Sequence, residues 1–562
     1  MTFERLTSNP NRFSRKLSKP VFILLLALAG FTVMGYHPGF EDDGIYLSAV
    51  KADLNPALYP HDSDFFRLQT QATVFARFIS GFVRLTRIPV PWAELLWQFV
   101  SLYTILWGAH SIAQRLFPER RAAWAGVALL AAMFTLPVAG TALYIADQHL
   151  HPRTMATALI LLGIERTLAG RRWQALAFLL AAVAMHPIMA AFGVSFCLFL
   201  ALVLTDSICS RLTSFFAGGR RMTLAAAFPL TWIFEPPTPE WRRALDTRTY
   251  YFLYRWTWYE WLGAIGPLML FFFLWHWMST EQKTAFLSGH DFSHAADLLK
   301  STRALAPDGR FEFDSPADRP RSGRQDPLLP RFALALFLYG AFQQALAMIL
   351  LAPPALIRIT PLQPMRYLHL EYMFLVLIAG GLLGRHVLRR TAWRWALFLI
   401  IVNGGMFLSE KLLLPASEHV EFPGRTSRNP WLQAFAWIRE NTPTDAYFAL
   451  DPRYLGVPGE DYHSFRALAE RSQLADAIKD AAVVTQVPEL APRWTGQVDA
   501  RAGWSRFELA DFERLKTRFD VDWVVLSYPP PARLSCIWHN DQLCVCRISA
   551  GAPPSKSLKQ PK

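Results

Sequence analysis

The sequence predicts an α-helical polytopic membrane protein with about eleven transmembrane helices and a small C-terminal α/β domain. Three observations predict it. Of the 562 residues, 52% are hydrophobic and only 18% charged, with a mean hydropathy of +0.18. That balance is too apolar for an ordinary soluble enzyme and too polar for a bare membrane bundle. Apolar stretches recur along most of the chain at lengths approaching the ~20 residues that cross a bilayer. Beyond Leu412 the pattern changes to short strands alternating with helices.

Candidate spans fall at 20–36, 92–114, 122–144, 154–168, 173–187, 188–205, 222–234, 258–278, 332–352, 368–386 and 394–411. The first holds an almost purely apolar run, Val21 to Val33, behind a leader carrying Arg5, Arg12, Arg15, Lys16 and Lys19. Basic residues stay in the cytoplasm, so the N-terminus is expected inside. No small-x-small cleavage site follows, which favours a retained span over a signal peptide. The loop charges agree with that order. Arg115, Arg120 and Arg121 follow the second span, Arg171 and Arg172 the fourth, and Arg211, Arg220 and Arg221 the sixth. The segment 279–331 is rich in Lys and Arg, and Arg385, Arg389, Arg390 and Arg394 follow the tenth span. All of these then face the cytoplasm, and the C-terminus faces out. The stretch 222–234 is short and contains Pro229, but parity requires a crossing there. His186-Pro187 interrupts the run 173–205, which as one helix would be roughly 50 Å long; two short helices meeting near His186 are expected.

The resulting division is a membrane domain over 1–411, with an outer loop at 37–91 and a cytoplasmic loop at 279–331, and an extracytoplasmic α/β domain over 412–562. The segment 307–327, rich in Pro, Arg and Asp, reads as a disordered loop. Within the outer loop, Phe75, Phe78, Ile79, Phe82, Val83 and Leu85 recur at helical spacing, with Arg77, Arg84 and Arg87 on another face. This suits a helix at 70–88 lying either on the membrane surface or against the bundle. In the C-terminal domain Asn429-Pro430 opens a helix, and Ala446 to Leu450 and Val521 to Tyr528 read as strands. Ser505 with Glu508 forms a capping box before Phe507 to Phe519, and Cys536 to Ile548 reads as a hairpin. Of the five cysteines, Cys197 and Cys209 suit packing, while Cys536 could pair with Cys544 or Cys546, or all three could stay reduced.

A net charge of +13 invites a nucleic-acid reading, but the basic residues sit in short loops between spans rather than on one folded face. No Walker-type phosphate loop, dinucleotide glycine fingerprint, His-Glu-x-x-His signature or Gly-x-Ser-x-Gly elbow is present. The chemistry points elsewhere. Glu41, Asp42 and Asp43 follow the first span at the outer membrane face. A carboxylate there can act as a general base toward a hydroxyl, and neighbouring carboxylates can also hold a divalent cation. The second outer loop carries Asp147, His149 and His151, on one face if extended, followed by Arg153. These suit substrate binding or acid–base work, with a metal site or a structural loop as the alternatives. Arg366, at the outer end of the tenth span, suits a phosphate through its two-pronged donor set; Glu371 lies a turn or two further on, and an Arg366–Glu371 ion pair is the bland reading. Tyr250, Tyr251, Tyr254, Trp256, Trp258, Tyr259 and Trp261, around Arg255 and Glu260, suit an interfacial belt.

With these residues in view, the layout resembles the GT-C superfamily of integral membrane glycosyltransferases, and bacterial members of it in particular. The match lies in Glu41-Asp42-Asp43 of a long first outer loop and Asp147 of the second, which stands without a second acidic residue. The resemblance implies a polyprenyl-phosphate-linked sugar donor, an extracytoplasmic acceptor, and residence in the bacterial inner membrane among its lipids. It implies Asp42 or Asp43 as base, and Arg366 or Arg67 holding the donor phosphate. No metal ligand is assigned. The competing classes are a transporter or lipid flippase, which would share broken helices and intramembrane charge, and a non-enzymatic envelope protein. Clustering of charge at the outer face, and the lack of an internal repeat, favour the transferase.

Overall fold

The computed structural model describes residues 18–205, 236–299, 328–530 and 534–548. The basic leader with Arg5, Arg12, Arg15 and Lys16, the stretch 222–234, the segment 307–327, Cys209, and Arg211, Arg220 and Arg221 lie outside the described residues.

Among the described residues, five helices are long and apolar enough to cross a membrane: Pro187–Leu204, Trp258–Thr280, Leu328–Leu351, Pro364–Leu388 and Ala392–Leu413. Lys19–Met34 and Arg172–Met185 are apolar but shorter. Helix Val90–Leu116 is longer but more polar, and Glu94, Gln98 and His110 are buried along it. The pair Arg172–Met185 and Pro187–Leu204 meets at His186, whose Nδ1 accepts the Met189 N–H at 3.3 Å and so caps the second helix. The proline starts that helix because its missing N–H costs nothing at the first position.

The span expected at 122–144 is corrected in its extent: its helix stops at Ala132. That helix, Arg120–Ala132, has 13 residues, or roughly 20 Å at 1.5 Å per residue. After it the chain forms a short antiparallel hairpin, β1 (Pro137–Val138) with β2 (Leu143–Tyr144). Pro137 cannot continue a helix without a clash, and Gly140 sits at φ +62° in the turn. Helix Arg120–Ala132 instead packs closely on Leu368–Leu383. A side chain at Gly126 would meet the Leu377 carbonyl, and one at Gly380 the Ala125 carbonyl, so small residues allow the two backbones to touch.

The C-terminal region forms a five-stranded sheet of β3 (Tyr447–Ala449), β4 (Ser472–Gln473), β5 (Trp523–Ser527), β6 (Ser535–His539) and β7 (Leu543–Arg547), in the order β4-β3-β5-β7-β6. β3 runs parallel to β4 and β5, while β7 is antiparallel to β5 and β6. Alternate residues serve two cores, as the period of a strand dictates. Phe448, Leu450, Val525 and Val545 pack with Trp431, Phe435 and Ile438 of helix Pro430–Asn441. Tyr447, Ala449, Val524 and Leu526 pack with Phe512 and Leu515 of helix Leu509–Phe519. Asn429 caps the first of these helices by accepting the Trp431 N–H at 2.8 Å. The expected capping box is displaced by three residues: Glu508, rather than Ser505, is the N-cap and Asp511 closes the box. Cys536 and Cys546 form a disulfide across the β6–β7 hairpin, and Cys544 is free and buried.

Residues 475–498 turn away from this sheet and share a core with the outer loop. Ala475, Val483, Val484 and Trp494 pack against Ile45, Tyr46, Phe65, Phe66 and Phe75. The helix expected at 70–88 is Phe75–Thr86. Phe75 and Ile79 enter this shared core, and Phe78 and Phe82 stand edge-on to Trp97 with ring centres 4.8 and 5.5 Å apart. The part of its apolar face formed by Phe75, Phe78, Ile79 and Phe82 therefore packs against protein, while Leu85 is exposed.

Candidate functional site

The loop after the first helix is set by its own backbone. Gly39 has φ +81°, a region that disfavours side chains, and a Cβ there would stand 2.7 Å from Leu468 Cγ. Its N–H donates to Asp43 Oδ2 at 2.7 Å. Glu41 follows in the left-handed region at φ 53°, an uncommon conformation for a residue with a side chain. Asp43 then starts helix Asp43–Leu54. Gly39→Ala is expected to lower stability by about 1–3 kcal/mol and to reduce any activity that depends on Glu41 and Asp42; an unchanged thermal midpoint would show that the turn tolerates a side chain.

This geometry points Glu41 and Asp42 into a cavity of about 840 Å³, which Asp147, His149, His151, Arg153 and Arg366 also line. The cavity lies between the outer loop, the β1–β2 hairpin, the 3-10 turn Pro364–Tyr367 and helix Lys479–Gln486. Asp43 is placed elsewhere. Its carboxylate is buried and closes the Gly39 turn, and burial raises its pKa from the ordinary carboxylate value. Glu371 is also outside the cavity. It is fully buried in helix Leu368–Leu383, and neither of its carboxylate oxygens has a hydrogen-bond partner among the described residues. The Arg366–Glu371 ion pair is thus not formed. Arg67, on helix Asp64–Thr70, does not line the cavity either.

The residues of the second outer loop are organised around Asp147. Arg153 holds it from Nε at 3.2 Å and through a second contact from Nη2, and Thr154 Oγ1 donates to it at 2.9 Å. Burial pushes the Asp147 carboxyl up, but Arg153, His151 and His149 together hold it well below the usual carboxylate range. His151 caps helix Pro152–Leu168: its Nδ1 accepts the Arg153 N–H at 2.9 Å. Burial, with Arg153 beside it, lowers the His151 pKa well below the usual value. The ring is then neutral, and because Nδ1 accepts, Nε2 carries the hydrogen. That Nε2 lies 3.8 Å from Asp42 Oδ2. Both ring nitrogens of His149 are buried and make no hydrogen bond among the described residues.

Two cations were missed by sequence reasoning. Lys479 Nζ contacts Glu41 Oε2 and lies 3.1 Å from Asp42 Oδ1. Burial pulls this amine down to about 7; the two carboxylates against it act in the opposite direction and favour the ammonium. The lysine is positioned by Arg466, which grips Asp480 through bonds of 2.6 and 2.9 Å, and by Asp476, which accepts the Ile478 N–H at 2.8 Å. Nothing local in Ile478-Lys479-Asp480 marks it, since the same triplet would suit a solvated helix start. Arg248 is the other, just ahead of the aromatic stretch. Tyr250 and Tyr251 of that stretch form part of the cavity wall. Arg248 leaves Nε and Nη2, and Arg366 leaves Nε, buried without a hydrogen-bond partner among the described residues.

The three carboxylates of the first two outer loops that line the cavity contact cations of the chain, Asp147 with Arg153 and Glu41 and Asp42 with Lys479. That donor set does not fit a divalent ion, which would have to displace those side chains. What the cavity offers is a partly exposed carboxylate, Asp42, facing the same space as two guanidiniums with unspent donors.

Residues 429–485 match a family described as a domain of unknown function, DUF6798. No curated protein matches the chain. Among solved structures the chain is similar to the apo form of an oligosaccharyltransferase from Archaeoglobus fulgidus, at 13% sequence identity over 92% of this chain and 70% of that one, with a TM-score of 0.37.

Proposed function

We propose that this protein is a membrane glycosyltransferase of the GT-C type, moving a sugar from a polyprenyl-phosphate donor to an acceptor hydroxyl at the extracytoplasmic face of a bacterial inner membrane. The observation that carries this reading is that Asp42, Arg248 and Arg366 line one cavity of about 840 Å³, within the ~300–1,000 Å³ usual for ligand sites. The N-in, C-out orientation and the eleven spans belong to the same proposal, because they put this cavity on the outer side.

The chemistry is a direct displacement. The acceptor oxygen bonds to the anomeric carbon as its proton passes to Asp42. The bond from that carbon to the phosphate oxygen breaks, and its electron pair leaves with the phosphate. The unspent donors of Arg248 and Arg366 meet the charge that develops there. His151, with its Nε2–H toward Asp42, orients the base. Lys479 neutralises Glu41 and tethers Asp42, and Tyr250 and Tyr251 offer faces for a sugar ring. No step requires a divalent ion.

The test is sugar transfer by the purified full-length protein, with radiolabelled polyprenyl-phosphate donors and a cell-envelope acceptor extract. Turnover is expected with a lipid-linked donor and not with the matching nucleotide sugar. Arg248→Met and Arg366→Met should each raise the donor KM, by roughly 10- to 100-fold if each removes a charged hydrogen bond worth ~1.5–3 kcal/mol. No wild-type turnover with any lipid-linked donor would remove the transferase reading.

A further inference from the structure

One buried cluster outside the cavity takes no part in this chemistry. His37 follows the first helix, Glu421 lies in the connection after helix Ala392–Leu413, and His463 belongs to the C-terminal region. Their ligand atoms lie within 4.8 Å of one another. His37 Nδ1 is 2.9 Å, and His463 Nε2 3.0 Å, from the same oxygen, Glu421 Oε1. The two histidines are 1% and 0% exposed.

The far nitrogen of His463 makes the arrangement informative. Its Nδ1 is 3.2 Å from the Glu460 carbonyl oxygen, a group that can only accept, so Nδ1 carries a hydrogen. In the neutral ring Nε2 then presents a lone pair to the carboxylate. Two lone pairs at that separation, away from water, repel, so either a proton or a metal cation lies between them. A backbone carbonyl that fixes the outer nitrogen while the inner one faces other ligands is the usual support of a metal-binding histidine.

We propose that His37 Nδ1, Glu421 Oε1 and His463 Nε2 form a binding site for a divalent cation of the zinc class. Two imidazoles and one carboxylate are a known zinc donor set, whereas magnesium and calcium take oxygen ligands. Ligands at the ~2.0–2.2 Å typical of zinc stand roughly 3.3 Å apart, so each histidine nitrogen need draw back from Glu421 Oε1 by only a few tenths of an ångström. The site joins three segments that already pair through their backbones. Tyr36 bridges to Val420 and Phe40 to His463, and the Glu41 N–H donates to the Tyr462 carbonyl at 3.0 Å. A bound ion would clamp the loop that carries Glu41 and Asp42 onto the C-terminal region.

The experiment is a titration of chelator-treated full-length protein with Zn²⁺ and, separately, Co²⁺, followed by elemental mass spectrometry and thermal unfolding. A single equivalent of either metal is expected to bind. Co²⁺ should show the visible absorption of a low-coordinate site, and Zn²⁺ should raise the thermal midpoint. Binding should persist in Asp42→Asn, whose carboxylate lies in the cavity, and disappear in Glu421→Gln and His463→Ala. If those variants fail to fold, the wild-type titration decides. Absence of stoichiometric binding by the wild type would overturn the proposal and leave a proton between Glu421 and His463. Binding that survives both substitutions would overturn it by placing the ion elsewhere.

Discussion

Asp42→Asn is expected to lower sugar transfer by about 10²- to 10⁴-fold, the usual contribution of a positioned general base, with no change in thermal midpoint. The substitution keeps the shape of the side chain and removes its basicity. Asp42 is about one-third exposed and no part of a core depends on it. Lys479 Nζ lies 3.1 Å from its Oδ1 and His151 Nε2 3.8 Å from its Oδ2; the amide oxygen of Asn can keep the Lys479 contact, and its NH2 then faces the more distant His151. Asp43→Ala should behave in the opposite way. Its carboxylate is buried and accepts the Gly39 N–H, so truncation leaves a buried donor unpaired at a cost of ~1–3 kcal/mol. Any loss of activity there should track loss of folded protein. Transfer assays with unfolding curves for both variants separate the two. Full activity in Asp42→Asn, with a dead but stable Asp43 variant, would move the base by one residue.

Asp147→Asn should be among the most destabilising single substitutions, by about 3–5 kcal/mol, because it leaves the buried Arg153 guanidinium without its counter-charge. Both Arg153 contacts and the Thr154 bond converge on this one carboxylate. The double variant Asp147→Asn with Arg153→Met removes the stranded charge and should recover much of the loss. The pH dependence has a definite sign. The folded carboxyl is held below its ordinary value, so its contribution is fully present above the unfolded value of ~3.9 and is lost as pH falls through the lower, folded value. Chemical unfolding of the wild type and both variants at neutral and acidic pH measures this. An Asp147→Asn protein as stable as the wild type would mean that Arg153 is balanced by Asp42 instead.

Much of the candidate site was legible because its parts lie next to membrane helices. Ionisable groups are costly there, so Glu41, Asp42, Asp147, His149, His151, Arg153 and Arg366 stand out against apolar neighbours, and all of them line the cavity. Asp43 and Glu371 stand out by the same rule but face into the protein. The rule registers the cost of a charge, not the direction in which its side chain leaves the backbone. Asp43 is one residue past Asp42 on a helix start, which rotates it by roughly 100°, toward the Gly39 turn. Arg248 and Lys479 gave no comparable signal, since each sits in a polar stretch where a basic residue is unremarkable.

The sequence by itself determined the helical membrane character, the break at His186-Pro187, the β6–β7 hairpin and the position of helix Pro430–Asn441. Each follows from local terms: apolar length, the geometry of proline, strand period and a capping side chain. Only the tertiary structure decided that the stretch after Ala132 turns back as a hairpin, that Cys546 rather than Cys544 pairs with Cys536, and that residues 475–498 join the core of the outer loop. It likewise decided that Lys479 meets Glu41 and Asp42 from more than 400 positions away. Such contacts depend on which buried surfaces fit together across the whole chain, and hydrophobic burial, being non-directional, records no partner in the local sequence.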